Sequence, residues 1–273
     1  MSAPATVASP VAERIWSRHT PEQKFLRFAF YFLVVAAIVF SLKNIEIIPE
    51  FLYDAPAQLK DFFLRMWPMD TAYYPKTVHA ALIETLNIAT LGTLLCLVMA
   101  VPVGIMAANN VVPFRPLNIL AQFILVSSRS VNTLVWALLF IAIFGPGALA
   151  GTMAIAFRSI GFVGKLFGEA LEEANKGTID ALTATGAPKT SIFLKGYWPQ
   201  VMPSFASIAL FRWDINVRES AVLGLVGAGG IGMAMDTAMN LFRWDQVAVV
   251  LATIFIVVII AEIAVSAIRK RII

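Results

Sequence analysis

Apolar runs of about 20 residues or more, parted by charged connections, recur along this 273-residue sequence and restrict the folds open to it. A hydrocarbon layer about 30 Å thick is crossed by ~20 helical residues, and only internally hydrogen-bonded backbone survives there. The runs lie at about 25–43, 80–108, 117–144, 147–172, 200–225 and 246–268. Those longer than the minimum are accommodated by tilt. The pattern predicts an all-α integral membrane protein with about six transmembrane helices. Composition agrees, with 59% apolar and 14% charged residues, against roughly half and a quarter in soluble domains.

Lys and Arg concentrate in the polar segment 1–24, at Arg115, in the loop 173–199 and at Arg269-Lys270-Arg271. Because cytoplasmic loops carry the excess of these residues, both termini are expected in the cytoplasm. The first run, 25–43, ends in VFSLKN without a small-x-small cleavage site, so an uncleaved first span is expected rather than a signal peptide. The net charge of +4 then reads as loop charge, not as nucleic-acid binding. Cys96 is the only cysteine, which rules out an intrachain disulfide and any CxxC site. His19 and His79 stand apart from other metal-ligand types and from Ser127, Ser128 and Ser130, so neither a zinc site nor an intramembrane hydrolase is supported.

Two connections are long. Residues 44–79 carry Pro49, Pro56, Pro68 and Pro75 and an amphipathic piece around QLKDFFLRMW at 58–67, expected to lie on the outer surface as an interfacial helix. Residues 173–199 are polar and rich in helix formers. There Thr178 is expected to cap a short helix running to Ala184, Gly186 to end it, and Pro188 to open a second segment.

Asp180-Ala181-Leu182, then Gly186 and Ala187, then Trp198-Pro199 resemble the coupling loop of ATP-binding-cassette importer permeases. The family form is Glu-Ala-Ala, three residues, Gly, nine residues, Ile-x-Leu-Pro. Here aspartate replaces glutamate, Leu182 replaces the second alanine, and Gly196 stands at the isoleucine. The flanks GFVGKLFGEALEEANKG and FRWDINVRESAVLGLVGAGGIG, with VNTLVWALLFIAIFGPG at 131–147, resemble the permease subunit of phosphonate, phosphite and hypophosphite importers over about residues 79–273. The resemblance implies a type I importer permease in the bacterial inner membrane, its core at 80–273. It also implies a second, identical or paralogous, permease chain, two ATPase subunits on the coupling loops, and a periplasmic or lipid-anchored binding protein. ATP and Mg would then reside on the ATPase, with no cofactor on this chain. A permease for another small solute is the alternative; a stand-alone anion channel or carrier would have no use for the coupling loop.

Gly227, Gly229, Gly230 and Gly232 spell GxGxxG, yet no βαβ unit surrounds them, so a dinucleotide site is not supported. A turned re-entrant segment or a gate loop facing the binding protein is expected instead.

Four charges fall within FRWDINVRES at 211–220. Each costs about 2.5–3.5 kcal/mol at the bilayer centre, so none can face lipid unpartnered. At 100° per residue Arg212, Asn216 and Glu219 share one stripe, and Asp214 and Arg218 lie nearly opposite with salt-bridge spacing. The stripe either lines a wet path between two permease chains or supplies polar packing there. The Asp214/Arg218 pair is expected to bridge within the subunit, with Arg218 also counted among the pathway residues. Arg129, in the polar stretch SSRSVNT, joins them, as does Arg158, with Glu84 as its possible partner. Arginine geometry suits a compact oxyanion.

Overall fold

The structure, a computed structural model, describes residues 21–45 and 49–272. The expected N-terminal segment 1–24 therefore lies mostly outside the described residues. The chain divides into two units, residues 1–60 and 61–273. In the first, α1 (Pro21–Asn44) has the length and apolarity of a span with none of its apolar window buried. α2 (Pro49–Arg65) begins in this unit, runs through Pro56 and ends in the second; it is longer than the amphipathic piece read from sequence.

The second unit is a helical bundle: α3 (His79–Ala107), α4 (Arg115–Ser130), α5 (Thr133–Phe144), α6 (Ala148–Glu172), α7 (Lys176–Ala184), α8 (Lys189–Ile192), α9 (Trp198–Leu223), α10 (Ile231–Asn240) and α11 (Trp244–Ile272). π-helical turns lead into α3 at Tyr74–Val78 and into α9 at Phe193–Tyr197. No strand occurs among the described residues. α6 is the hub and packs against α3, α4, α5 and α9. Its glycines let neighbouring backbones approach closely, as at small-residue helix interfaces. A Cβ on Gly161 would come within 2.3 Å of the Leu125 carbonyl oxygen, and one on Gly104 of α3 within 2.8 Å of the Gly164 carbonyl oxygen.

The expected third span is not one helix. α4 and α5 meet at a bend of 94°. Among the described residues, five helical segments qualify as spans singly, and a sixth qualifies only if this bent pair is counted as one. The cause is local: Val131 and Asn132 are extended, and the Asn132 side chain caps α5 by accepting from the Leu134 N–H at 2.9 Å.

The glycine motif is a tight, packed turn. Gly227 adopts a left-handed conformation at φ +89°, and its carbonyl accepts from the Gly147 N–H at 2.9 Å. Beyond it the Thr85 hydroxyl accepts from the Ile231 N–H at 2.7 Å and ties the start of α10 to α3.

Candidate functional site

The break between α4 and α5 is held from two sides. The Ser128 hydroxyl donates to the Phe157 carbonyl and accepts from the Gly161 N–H at 3.1 Å, inserting itself into the hydrogen-bond ladder of α6. Its own carbonyl accepts from the Trp136 indole at 3.3 Å. On the far side of the break, the Thr133 hydroxyl donates to Glu219 Oε2 at 3.0 Å, linking α5 to α9.

Glu219 leads into a buried chain of polar contacts. Its Oε2 pairs with Arg212 at 3.2 Å, and Arg212 Nε donates to Ser159 Oγ at 2.8 Å. The Ser159 hydroxyl lies 3.2 Å from Asn216 Oδ1, and Asn216 Nδ2 donates to Thr93 Oγ1 at 2.8 Å. Arg212 also sits 5.8 Å from the centre of the Phe162 ring. The stripe foreseen on α9 is therefore intact, but Arg212 is only 3% exposed and Asn216 0%. Both point into the subunit, against polar residues of α3 and α6, rather than out of it. Arg212 meets Glu219 within α9, and the remaining contacts run from α9 to side chains of α3, α5 and α6, which is how a bundle keeps such groups out of lipid.

Arg218, Arg158 and Arg129 border recesses instead. Asp214 and Arg218 form the expected bridge within α9; Asp214 is 5% exposed while the Arg218 side chain is 46% exposed. Arg218 and Glu219 of α9, Arg158 of α6, and Asn132, Thr133 and Leu134 at the start of α5 line a recess of about 380 Å³. Arg158 makes no ion pair among the described residues, and its buried Nε has no hydrogen-bond partner. Its suggested partner Glu84 faces the glycine turn instead, 2.9 Å from where a Cβ on Gly229 would stand. Arg129 is not in this group. It lines a second recess of about 290 Å³ with Lys165, Glu169 and Glu172 of α6 and Gln122 of α4.

The loop at 173–199 forms the expected elbow with one change. Asn175, not Thr178, caps α7 by accepting from the Gly177 N–H at 2.9 Å, so the helix begins earlier. Asparagine is favoured over threonine at this position, where its side-chain oxygen reaches the second N–H of the helix. At the other end Gly186 is left-handed at φ +75°; the Ala187 N–H reaches the Leu182 carbonyl and the Gly186 N–H the Thr183 carbonyl, a Schellman termination. Asp180 and Ala181 are exposed, as is Pro199 in the first turn of α9. Leu182 Cδ1 lies against Gly196, 3.1 Å from where a Cβ would project. Two of the three departures from the family pattern thus meet in space, a larger residue on α7 filling the room left by a smaller one.

Sequence reasoning missed Thr93 and Ser159, which complete these contacts, and read Ser128 and Thr133 only as polar surroundings of Arg129. Single hydroxyls in apolar helices are common, and only the facing charges on α9 hinted that partners must exist.

Residues 100–273 match the family described as binding-protein-dependent transport system inner membrane component. Over 204 residues the chain is 36% identical to the phosphite transport system permease protein PtxC of Stutzerimonas stutzeri, covering 75% of this chain and 74% of that protein. Over 236 residues it is 33% identical to the phosphate-import permease protein PhnE of Mycolicibacterium smegmatis, covering 86% of this chain and 44% of that one. The fold is similar to a chain of an amino acid ABC transporter crystallised with histidines (TM-score 0.62, 19% identity, 73% of this chain and 96% of the other). It is likewise similar to a chain of the inward-facing MetNI methionine transporter (TM-score 0.61, 21% identity, 72% and 96%).

Proposed function

This chain belongs to the family of binding-protein-dependent transport system inner membrane components, and within it we propose a permease for phosphorus oxyanions, phosphonate, phosphite or a near relative. It is a multi-pass inner membrane transport subunit of an ABC importer and not an enzyme. The observation that carries the substrate reading is the recess in which Arg158 and Arg218, from two helices, stand beside Asn132 and Thr133. Two guanidinium groups beside the Asn132 amide match an anion bearing several oxygens. Glu219 at the same wall keeps the attraction moderate, as conduction requires.

In this reading a second permease chain closes the open side of the recess, and a binding protein delivers the anion. Two ATPase subunits, which hold ATP and Mg, dock on the elbow at Asp180, Ala181, Leu182, Gly186 and Ala187. Both termini are then cytoplasmic, and the packed turn at Gly227, Gly229, Gly230 and Gly232 forms the outer rim. The deciding experiment is ATP-dependent, binding-protein-dependent uptake into vesicles, with phosphonate, phosphite and phosphate compared side by side. Uptake of none of the three would refute the substrate class. Asp180→Lys tests the elbow: the ATPase should no longer copurify with the permease, and retained copurification with full transport would refute the docking assignment.

A further inference from the structure

Arg129 and Arg158 spring from nearly the same place in the bundle and serve different cavities. Their helices cross where Gly161 of α6 meets Leu125 and Arg129 of α4; a Cβ on Gly161 would lie 3.0 Å from the Arg129 Cβ. Later residues of α4 meet earlier residues of α6 (Ser128 with Phe157 and Gly161, Leu125 with Gly161 and Gly164), so the two helices run antiparallel. Helical side chains lean toward the N-terminus of their own helix. Arg129 accordingly leans toward the Lys165–Glu172 end of α6, and Arg158 toward the opposite end. The crossing is closed by backbone packing and by the Ser128 hydroxyl, and it parts the two recesses.

We propose that the recess around Arg129 is a second, exit-side station for the transported phosphorus oxyanion, separated from the Arg158/Arg218 recess by the Ser128–Gly161 crossing. This rests on the phosphorus-oxyanion reading above and adds to it a second site.

The charges in this recess are arranged for weak capture. Lys165 is engaged by Glu169 at 3.4 Å, and Glu172 Oε1 takes both the backbone and side-chain N–H of Asn109, at 2.8 and 2.9 Å. Arg129 makes no ion pair among the described residues, which leaves its guanidinium for a ligand, with Gln122 as a neutral neighbour. A single unshared cation in a recess it shares with two carboxylates that already have partners holds an anion briefly, which suits release. The break supplies the passage. Arg129 lies just before it and lines one recess, while Asn132 and Thr133 lie just after it and line the other. Rotation about the extended pair Val131-Asn132 therefore changes both cavities at once.

The test uses the assembled permease–ATPase complex in phosphatidylcholine nanodiscs without binding protein and follows the line width of the phosphorus NMR signal of inorganic phosphite. Arg129→Gln should remove one part of the broadening and Arg158→Gln another. The double variant should lose the sum, as separate sites do. For the Arg129 part, the loss of one charge-assisted contact predicts at least about tenfold weaker binding, and Arg129→Lys should restore part of it. If Arg129→Gln complexes that still copurify with the ATPase broaden the line as wild type does, or if the double variant loses no more than Arg158→Gln alone, the second station is overturned. Discs containing phosphatidylglycerol separate the two sources of phosphorus oxyanion. An unchanged Arg129-dependent part supports a soluble anion, and its disappearance would make the recess a lipid headgroup seat and overturn the exit role. Wild-type uptake of phosphonate, phosphite and phosphate is measured in parallel. Failure of all three defeats the phosphorus reading itself, whereas phosphite uptake with no Arg129-dependent signal defeats only the exit station.

Discussion

Arg212 and Arg218 stand six residues apart on one helix and live in different surroundings. Arg212 is enclosed, with Glu219, Ser159 and the Phe162 ring around it. Arg218 shares one carboxylate and otherwise faces a recess. The difference separates two uses of charge inside a membrane bundle. An enclosed charge with fixed partners ties helices together, and its removal strands the partner; a half-open charge keeps free valence for something that passes. α9 turns one face to each task, and Glu219, with its side chain 25% exposed, belongs to both.

The largest effect should follow from breaking the enclosed set. Arg212→Ala leaves Glu219 without its cation and Ser159 without its donor, and removal of one member of a buried pair costs about 3–5 kcal/mol. The expected outcome is loss of assembled transporter, read as permease in the membrane and as ATPase copurified with it. An Arg212→Ala complex that assembles at wild-type level yet transports nothing would move Arg212 into the pathway and dissolve the contrast.

Next in size are the open charges. Arg158→Gln should leave assembly intact and lower uptake at least about tenfold, the scale of one lost charge-assisted hydrogen bond. For Arg218 the buried Asp214 must be neutralised together with it, because its Oδ1 already lacks a partner. The double variant Asp214→Asn/Arg218→Gln should therefore assemble and transport poorly, whereas Arg218→Gln alone should also lose complex. Normal uptake by Arg158→Gln and by the double variant would empty the recess of its assigned role.

A smaller loss is expected at Ser159, which joins Arg212 to the Asn216–Thr93 arm. Ser159→Ala withdraws an acceptor from a buried guanidinium, a cost of about 1–3 kcal/mol. Thermal unfolding of the purified complex should begin at lower temperature while the KM for uptake stays unchanged. A raised KM at unchanged stability would place Ser159 with the open set.

What the sequence made legible follows from what repeats. The spans could be read from apolar length, because the bilayer imposes that length on every helix alike, and the stripe on α9 from helical period. The elbow could be read because Gly186 and Pro188 mark backbone events. The bend in the third span went unread, although Ser127, Ser128, Asn132 and Thr133 together spell a helix stop and a cap; apolar residues on both sides masked it. The partners of Arg212 were hidden for a different reason. Ser159 is 53 residues away, Asn216 reaches Thr93 across 123, and nothing local couples them. The same holds for Leu182 and Gly196, which look like two departures from a motif and are one exchange of volume.

Thr133 offers the finest test of the contrast, because it touches both sets. It is 7% exposed, its hydroxyl donates to the Glu219 carboxylate, and it stands at the edge of the recess immediately after the break. Thr133→Val keeps the shape and removes the donor. Glu219 then retains Arg212 as its only partner from the enclosed set and is freer to turn toward the recess. There its negative charge opposes an arriving anion, at a cost of about 1 kcal/mol for unit charges some 4 Å apart in water and more where water is scarce. The expected result is a KM for uptake raised severalfold, on the order of the tenfold that ~1.4 kcal/mol represents, with Vmax and assembled complex unchanged. A fall in complex abundance at constant KM would instead assign Thr133, and with it the start of α5, to the scaffold alone.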